Sequence, residues 1–151
     1  MSTENLARTA YCGLYCGGCA AGKGTTADKA EALLEELEEA RFAQVADIIP
    51  VPEFKKYPEF NALLSILANM KCVGCRGGTR SESCNIAKCC IEKGYEGCWI
   101  CADFRSCEQL DWLGHVHGDA HLVNLAFIAD TGVDEWVASG PPWYHDPDEK
   151  A

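Results

Sequence analysis

Eight of the eleven cysteines lie between Cys72 and Cys107, and this crowding constrains the fold more than any other feature of the chain. Two C-x2-C pairs, Cys72 with Cys75 and Cys98 with Cys101, frame the segment. A C-x2-C turn lets two sulfurs converge on one ion at about 2.3 Å each. The cysteines between the two pairs are Cys84, Cys89 and Cys90. The sequence therefore predicts a protein stapled by metal.

Three further cysteines, Cys12, Cys16 and Cys19, form a second knuckle in a glycine-rich loop near the N-terminus. The total of eleven is odd, which fits a fully paired disulfide framework poorly. The N-terminal residues lack the apolar segment of a secretory signal, so we expect a cytoplasmic location. In that reducing compartment clustered thiols bind metal or do redox work.

Local spacing favours two zinc sites of four cysteines each, since structural zinc takes four ligands in a closed tetrahedron. One site would use Cys72, Cys75, Cys84 and Cys89, and the other would use Cys16, Cys19, Cys98 and Cys101. A cross-braced arrangement, in which alternate pairs share an ion, is equally compatible with the spacing. Cys12 and Cys107 are then alternate ligands, neighbours of a site or reactive thiols. Cys90 is most simply a small buried hydrophobic residue.

An iron–sulfur cluster is the main alternative to zinc, because clusters are also held by closely spaced thiolates. The C-x3-C-x2-C spacing of Cys12, Cys16 and Cys19 is that of the cluster loop in radical S-adenosylmethionine enzymes. Those enzymes need a large (β/α) barrel, and this chain shows no βα alternation. An electron-transfer or sensing cluster stays open as a hypothesis.

Other motifs indicate catalysis only weakly. Residues 17–24 nearly match a phosphate-binding loop, but Gly24 replaces the hydroxyl that would hold Mg²⁺, and no strand precedes the loop. Residues 98–101 lack the βαβ pattern that flanks a thioredoxin-like motif. Three histidines cluster at His115, His117 and His121. Gly118 replaces the glutamate of a zinc-peptidase motif, so we expect these histidines at the surface or at helix caps.

The net charge of −10 opposes a nucleic-acid partner. Phosphate contacts supply most nonspecific affinity for nucleic acids, and no long basic stripe is present to make them. No run approaches the 18 or more apolar residues of a membrane span, so we expect no membrane partner. A protein partner remains open, and the oligomeric state does not follow from the sequence.

Helical periodicity without a convincing strand predicts a mainly α fold, a small single domain in which irregular cysteine-rich loops staple several helices. One helix should run from Thr25 or Asp28 to about Ile49, where the following prolines end it. A second should begin near Pro58. Its buried face would carry Phe60, Leu63, Leu64, Leu67 and Met70.

Shorter helices are expected further along the chain, at residues 85–93, at residues 104–113, and from Asp119 to about Gly132. Residues 1–140 would then form one cysteine-rich metal-binding domain. Residues 141–151 would form an acidic tail, since this end is rich in proline and acidic residues.

The ordered motifs resemble a cysteine-rich bacterial and archaeal family known only as a domain of unknown function. The matching stretches are Tyr11-Cys-Gly-Leu-Tyr-Cys-Gly-Gly-Cys19, Cys72-Val-Gly-Cys-Arg-Gly-Gly78, Cys84-Asn-Ile-Ala-Lys-Cys-Cys-Ile-Glu-Lys-Gly94, Cys98-Trp-Ile-Cys101, Phe104 to Leu110, and Gly118-Asp-Ala-His-Leu-Val-Asn-Leu125. Ten of the eleven cysteines fall on its motif positions, and Cys90 is the extra one. The resemblance implies metal binding, usually of zinc, and no established reaction.

No catalytic dyad or triad can be assembled from these residues, so the chain is expected to be a binding or adaptor module rather than an enzyme. Its metal would supply folding free energy. The alternative is a redox or sensor protein that carries an iron–sulfur cluster or reactive thiols.

Overall fold

The computed structural model describes residues 2–77, 83–146 and 148, and in this part of the chain it confirms the predicted mainly α fold. Its α-helices are α1 (Thr3–Ala7), α2 (Ala20–Lys23), α3 (Thr25–Glu39), α4 (Phe42–Ile48), α5 (Tyr57–Ala68), α6 (Asn85–Glu92), α7 (Gly114–His117), α8 (Ala120–Thr131) and α9 (Val133–Ala138). Short 3-10 helices cover Cys16–Gly18, Pro52–Lys56, Cys98–Ile100, Phe104–Ser106 and Glu108–Leu113. The described residues form no β-strand, only isolated bridges such as Thr9 with Tyr15.

The chain divides into two compact units. The first unit combines Met1–Cys19 with Val73–Ala151, and the second unit is the continuous stretch Ala20–Cys72. The predicted division between a cysteine-rich domain at 1–140 and an acidic tail at 141–151 stays a prediction.

The core of the first unit forms around α8 and α9. Leu125 of α8 is fully buried and packs over Gly13, whose φ of +80° belongs to the left-handed region that favours glycine. A Cβ at Gly13 would lie 2.8 Å from Cγ of Leu125, so the loop of the first cysteine knuckle needs glycine there. Trp136 of α9 is 1% exposed, and its Nε1 donates a hydrogen bond to Oδ1 of Asn124 at 3.1 Å.

The second unit is built on α3 and α5, which pack against each other. The prediction of one continuous helix from Thr25 or Asp28 to Ile49 is wrong, because the chain turns between α3 and α4. Arg41 has a φ of +49°, and a left-handed residue ends a right-handed helix. The predicted second helix is present, and it begins at Tyr57 beside Pro58.

The predicted buried face of α5 is also wrong in most of its members. Leu64 is 6% exposed, as expected, and α5 contributes no other buried residue. Phe60, Leu63, Leu67 and Met70 expose between 39% and 62% of their surface. The helix therefore turns a second apolar face to solvent, because burial against α3 uses a different side of it.

The structure places helices where the shorter patterns predict them, with one difference in geometry. Helix α6 covers most of residues 85–93, and α8 ends at Gly132 as expected. Residues 104–113 form two 3-10 helices separated by Cys107. The prediction of a single helix over residues 104–113 is therefore replaced by two shorter helices of the tighter 3-10 type.

Candidate metal centre

Seven cysteines line one apolar core in the first unit. Cys90 and Cys98 are buried in it, and five half-buried cysteines pack against it, namely Cys12, Cys16, Cys75, Cys84 and Cys107. They come from the N-terminal loop, the stretch after α5, helix α6 and the 3-10 helices that follow. No disulfide joins any of the described cysteines. The fold therefore brings thiols from distant parts of the sequence to one core.

Backbone hydrogen bonds bring the N-terminal knuckle and the Cys98 turn together. The N–H of Cys98 donates to the carbonyl of Tyr11 at 2.8 Å. Within each knuckle the last N–H closes a tight turn, from Cys19 to the carbonyl of Cys16 at 3.2 Å and from Cys101 to that of Cys98 at 3.0 Å. These bonds explain why Cys12 and Cys98 meet although many residues separate them.

Cys12 has the most perturbed environment of the half-buried thiols. Burial raises its pKa to about 12, and negative charge on Cys75, Cys84 and Cys16 would raise it further. A backbone hydrogen bond from Leu14 lowers it in part. Burial likewise raises the pKa of Cys75, although the Tyr11 backbone and Arg76 oppose the shift. Thiolates at these positions therefore need a compensating cation.

The Sγ atoms of Cys90 and Cys98 lie 3.6 Å apart in the core. Either sulfur can be the donor of the hydrogen bond between them, and this contact raises the pKa of Cys98 and lowers that of Cys90. Four sulfurs at about 2.3 Å from a tetrahedral zinc ion would lie roughly 3.8 Å apart. The separation of this pair is thus close to one edge of such a tetrahedron.

Arg76 ties the cysteine core to its surroundings. Its Nε donates to the carbonyl of Thr9 at 2.6 Å, and its Nη2 donates to the carbonyl of Glu96. The guanidinium also lies 4.1 Å from the ring centre of Tyr11 and 5.7 Å from that of Trp99. Its positive charge lowers the pKa of both Cys75 and Cys90. Arg76 therefore combines a structural clamp with a cation beside two candidate ligands.

The remaining candidate ligands lie outside this cysteine core. Cys89 and Cys101 both raise the pKa of the exposed Lys93, so the two thiols flank that ammonium. Cys72 belongs to the second unit, where its N–H donates to the carbonyl of Ala21 at 3.2 Å. Among the described residues, no three cysteine, histidine or acidic side chains stand close enough together to hold a metal ion. The grouping of the ten predicted ligands stays a prediction.

A family model described as "Protein of unknown function (DUF3795)" matches residues 8–112, more than two thirds of the chain. The chain belongs to the DUF3795 family. This match confirms the resemblance to an uncharacterised domain family, and all eleven cysteines lie within the matched range. No curated protein and no solved structure matches the chain. In the described part of this DUF3795 chain, no helix has the length and apolar character to cross a membrane.

The sequence does not predict the role of Arg76 beside the cysteine core. Cys90 is 2% exposed within that core, which confirms the expected buried residue, and its Sγ also lies 3.6 Å from that of Cys98. This burial follows from the place of Cys90 on α6, four residues after the buried Ile86. Arg76 lies in the stretch from Cys72 to Gly78, whose cysteine spacing gives this arginine no role. The sequence feature that could have indicated this role is the position of Arg76 directly after Cys75, the second cysteine of its C-x2-C pair.

The three clustered histidines differ in how deeply they are buried. His115 is exposed, whereas His117 and His121 are 6% and 4% exposed. Nδ1 of His117 lies 3.0 Å from the carbonyl oxygen of Trp143, and Nδ1 of His121 is buried without a hydrogen-bond partner among the described residues. Burial, with the nearby His117, lowers the pKa of His121, although Asp119 and Asp111 oppose this shift. Of the expected surface or capping positions, His115 is at the surface, His117 is the buried last residue of α7, and His121 is buried within α8.

The buried His121 should make the stability of the protein depend on pH. Burial favours the neutral imidazole in the folded chain, while the unfolded chain takes up a proton near the ordinary pKa of 6.5. We therefore expect full stability above that pH and a loss as the pH falls below it. Urea midpoints measured across this range should fall less steeply for His121→Gln than for the wild type. His115→Gln is the control, and an unchanged slope in His121→Gln would contradict the assignment.

Proposed function

We propose that this DUF3795 chain binds a structural metal ion, zinc, through cysteine thiolates of its first unit. The observation that carries the proposal is the meeting of seven cysteines on one core. A donor set made only of thiolates suits zinc, which takes four ligands without redox change. When bound, zinc would supply the positive charge that buried thiolates need, and its binding free energy would stabilise the fold.

Four residues are proposed to hold the ion, namely Cys12, Cys16, Cys75 and Cys84. Three of them act electrostatically on the fourth, Cys12, whose burial makes an uncompensated thiolate unfavourable. The pair Cys90 and Cys98, at a separation near the tetrahedral edge, is the proposed start of a second site. The chain would thus bind one or two zinc ions.

The proposed role of the metal-stapled chain is that of a small binding or adaptor module. A closed four-thiolate site needs no substrate and leaves the surface to make contacts. Thiolate ligands must stay reduced, so the proposed location is the cytoplasm. Its acidic surface favours a protein partner over nucleic acid.

The test is elemental analysis with a visible spectrum, on protein purified without oxygen. We expect about one or two zinc ions per chain and no absorption near about 400 nm. Cys12→Ser and Cys75→Ser should each lose at least half of the bound zinc, whereas Cys19→Ser should keep it. Zinc loss in Cys75→Ser and Cys19→Ser with full retention in Cys12→Ser would favour the grouping predicted from spacing and would refute the proposed site. Detection of iron with acid-labile sulfide would instead show that the cysteines hold an iron–sulfur cluster.

A thiol redox protein is the second candidate function, and the Cys90–Cys98 contact favours it. At 3.6 Å the two sulfurs need only a small approach to form a bond. In that reaction both S–H bonds break, one S–S bond forms, and two protons leave. Two electrons pass to a small-molecule disulfide such as oxidised glutathione, which is reduced to two thiols. After incubation with oxidised glutathione, mass spectrometry of alkylated peptides would detect the Cys90–Cys98 disulfide. Absence of this disulfide would exclude the redox function.

A further inference from the structure

A mostly apolar cavity lies within the second unit, which contributes no residue to the proposed zinc site. Its volume is about 310 Å³. Small-molecule sites usually have about 300–1,000 Å³, so this cavity has room for a small ligand only. The residues that line it all belong to the continuous stretch Ala20–Cys72, and they are Leu33, Leu37, Phe42, Glu53, Phe54, Lys56, Tyr57 and Phe60.

Four aromatic rings form most of the cavity wall. Phe42 of α4 is the central one, with its ring centre 5.5 Å from that of Phe54 and 5.3 Å from that of Tyr57. Phe60 of α5 continues the wall, at 6.2 Å from Tyr57 between ring centres. Rings that meet one another at these distances can also receive a further ring or a branched apolar group between them. The wall therefore selects the large apolar part of a ligand.

Two opposite charges, those of Glu53 and Lys56, also line the cavity. The two residues stand three positions apart in the 3-10 helix Pro52–Lys56, and side chains at this spacing eclipse one another in such a helix. Both side chains therefore project from one side of the helix. Neither forms an ion pair with a described residue, so both charges are available to a ligand.

The charged neighbours of this pair lie outside the lining. Lys55 and Glu59 are exposed, and they add one positive and one negative charge beside the cavity without contributing to its wall. The surroundings therefore favour neither a purely anionic nor a purely cationic ligand. A matching ligand carries one group of each charge next to a large apolar part.

We propose that this cavity binds a free α-amino acid with an aromatic or large apolar side chain. Its ammonium and carboxylate groups are attached to the same carbon atom, so they can face two charged side chains that project from one short helix. Lys56 binds the carboxylate and Glu53 binds the ammonium, each through a charge-assisted hydrogen bond. The side chain of the ligand enters between the aromatic rings. This site uses the second unit alone and goes beyond the proposed zinc site.

The experiment is an NMR titration of the isotope-labelled full chain with L-phenylalanine. We expect saturable shifts of the backbone signals of the lining residues, with a Kd of about 0.1–1 mM for so small a ligand. L-Alanine lacks the ring and should bind at least about tenfold more weakly. The compounds 3-phenylpropionate and 2-phenylethylamine each lack one of the two charged groups, and each should also bind about tenfold more weakly.

Single substitutions distinguish the two charged contacts. Lys56→Gln should weaken L-phenylalanine about tenfold and leave 2-phenylethylamine unchanged, because that amine has no carboxylate to lose a partner. Glu53→Gln should weaken L-phenylalanine similarly and leave 3-phenylpropionate unchanged. Lys55→Gln and Glu59→Gln are the matched controls, since they remove the same charges outside the lining, and they should bind like the wild type.

An absence of saturable shifts up to about 10 mM L-phenylalanine would overturn the proposal. Equal weakening by Lys55→Gln and Lys56→Gln would also overturn it, as would binding of 3-phenylpropionate as tight as that of L-phenylalanine. Far-UV circular dichroism shows that each variant is folded. Zinc analysis of each sample separates a failure of the metal site from a failure of the cavity to bind.

Discussion

Replacing Trp136 with alanine is expected to lower the free energy of unfolding of the first unit by about 3–5 kcal/mol. The indole is 1% exposed and packs with Ile128 and Val133. Its edge meets the ring of Tyr15 at 5.8 Å between centres. Alanine would leave a cavity, and it would also remove the Nε1 donor that satisfies the buried Asn124.

Urea unfolding followed by far-UV circular dichroism measures this loss. Trp112→Ala is the matched control, because that indole is 56% exposed and its removal should change stability by less than about 0.5 kcal/mol. Trp136→Phe helps to separate the two causes, since it removes the hydrogen bond but keeps most of the volume. It should fall between the wild type and Trp136→Ala. Similar losses in Trp136→Ala and Trp112→Ala would show that Trp136 is not central to the core.

Replacing Arg76 with methionine is expected to cost about 2–4 kcal/mol of stability and to reduce zinc content. Thr9 is completely buried, so its carbonyl would lose its donor without gaining water. The carbonyl of Glu96 would lose its donor as well, and the cation over the ring of Tyr11 would be gone. Cys75 would also lose the nearby positive charge that lowers its pKa.

Arg76→Lys should lose nearly as much, because a single ammonium cannot reproduce the fork that serves two carbonyls. Arg105→Met is the control, since Arg105 is exposed and lies over the ring of Phe104 at 4.9 Å. Thermal unfolding and zinc analysis of the three variants check the prediction. Full stability of Arg76→Lys would mean that charge alone matters at this position, and the two hydrogen bonds would then contribute little.

Local patterns in the sequence were enough to predict most helices. Helix α8 follows from its apolar spacing and from Gly132, and α5 follows from its periodicity beside Pro58. The break at Arg41 could not be predicted, because arginine has no intrinsic preference for a positive φ. The exposed side of α5 was missed for a related reason. An apolar stripe shows that a surface favours contact, but it does not show which neighbour covers it.

For the candidate site, too, local sequence patterns do not show which residues become neighbours in space. Spacing identifies which cysteines suit a metal, since C-x2-C turns are local. It does not show which distant loops meet, and here Cys12, Cys75 and Cys84 all pack against one core. Long-range contacts of this kind depend on the packed core. The role of Arg76 was missed because its partners are backbone carbonyls, which carry no sequence signal.

The discontinuous first unit has a consequence for the order in which the protein is made. Its N-terminal part ends at Cys19, and the chain returns to this unit only at Val73. At a synthesis rate of about 5–20 residues per second, the early thiols wait roughly 3–11 s for their later neighbours to leave the ribosome. The intervening second unit is continuous, and its last residue, Cys72, is made only at the end of that interval. Newly made Cys12 and Cys16 are therefore open to stray oxidants or metals before the unit closes around them.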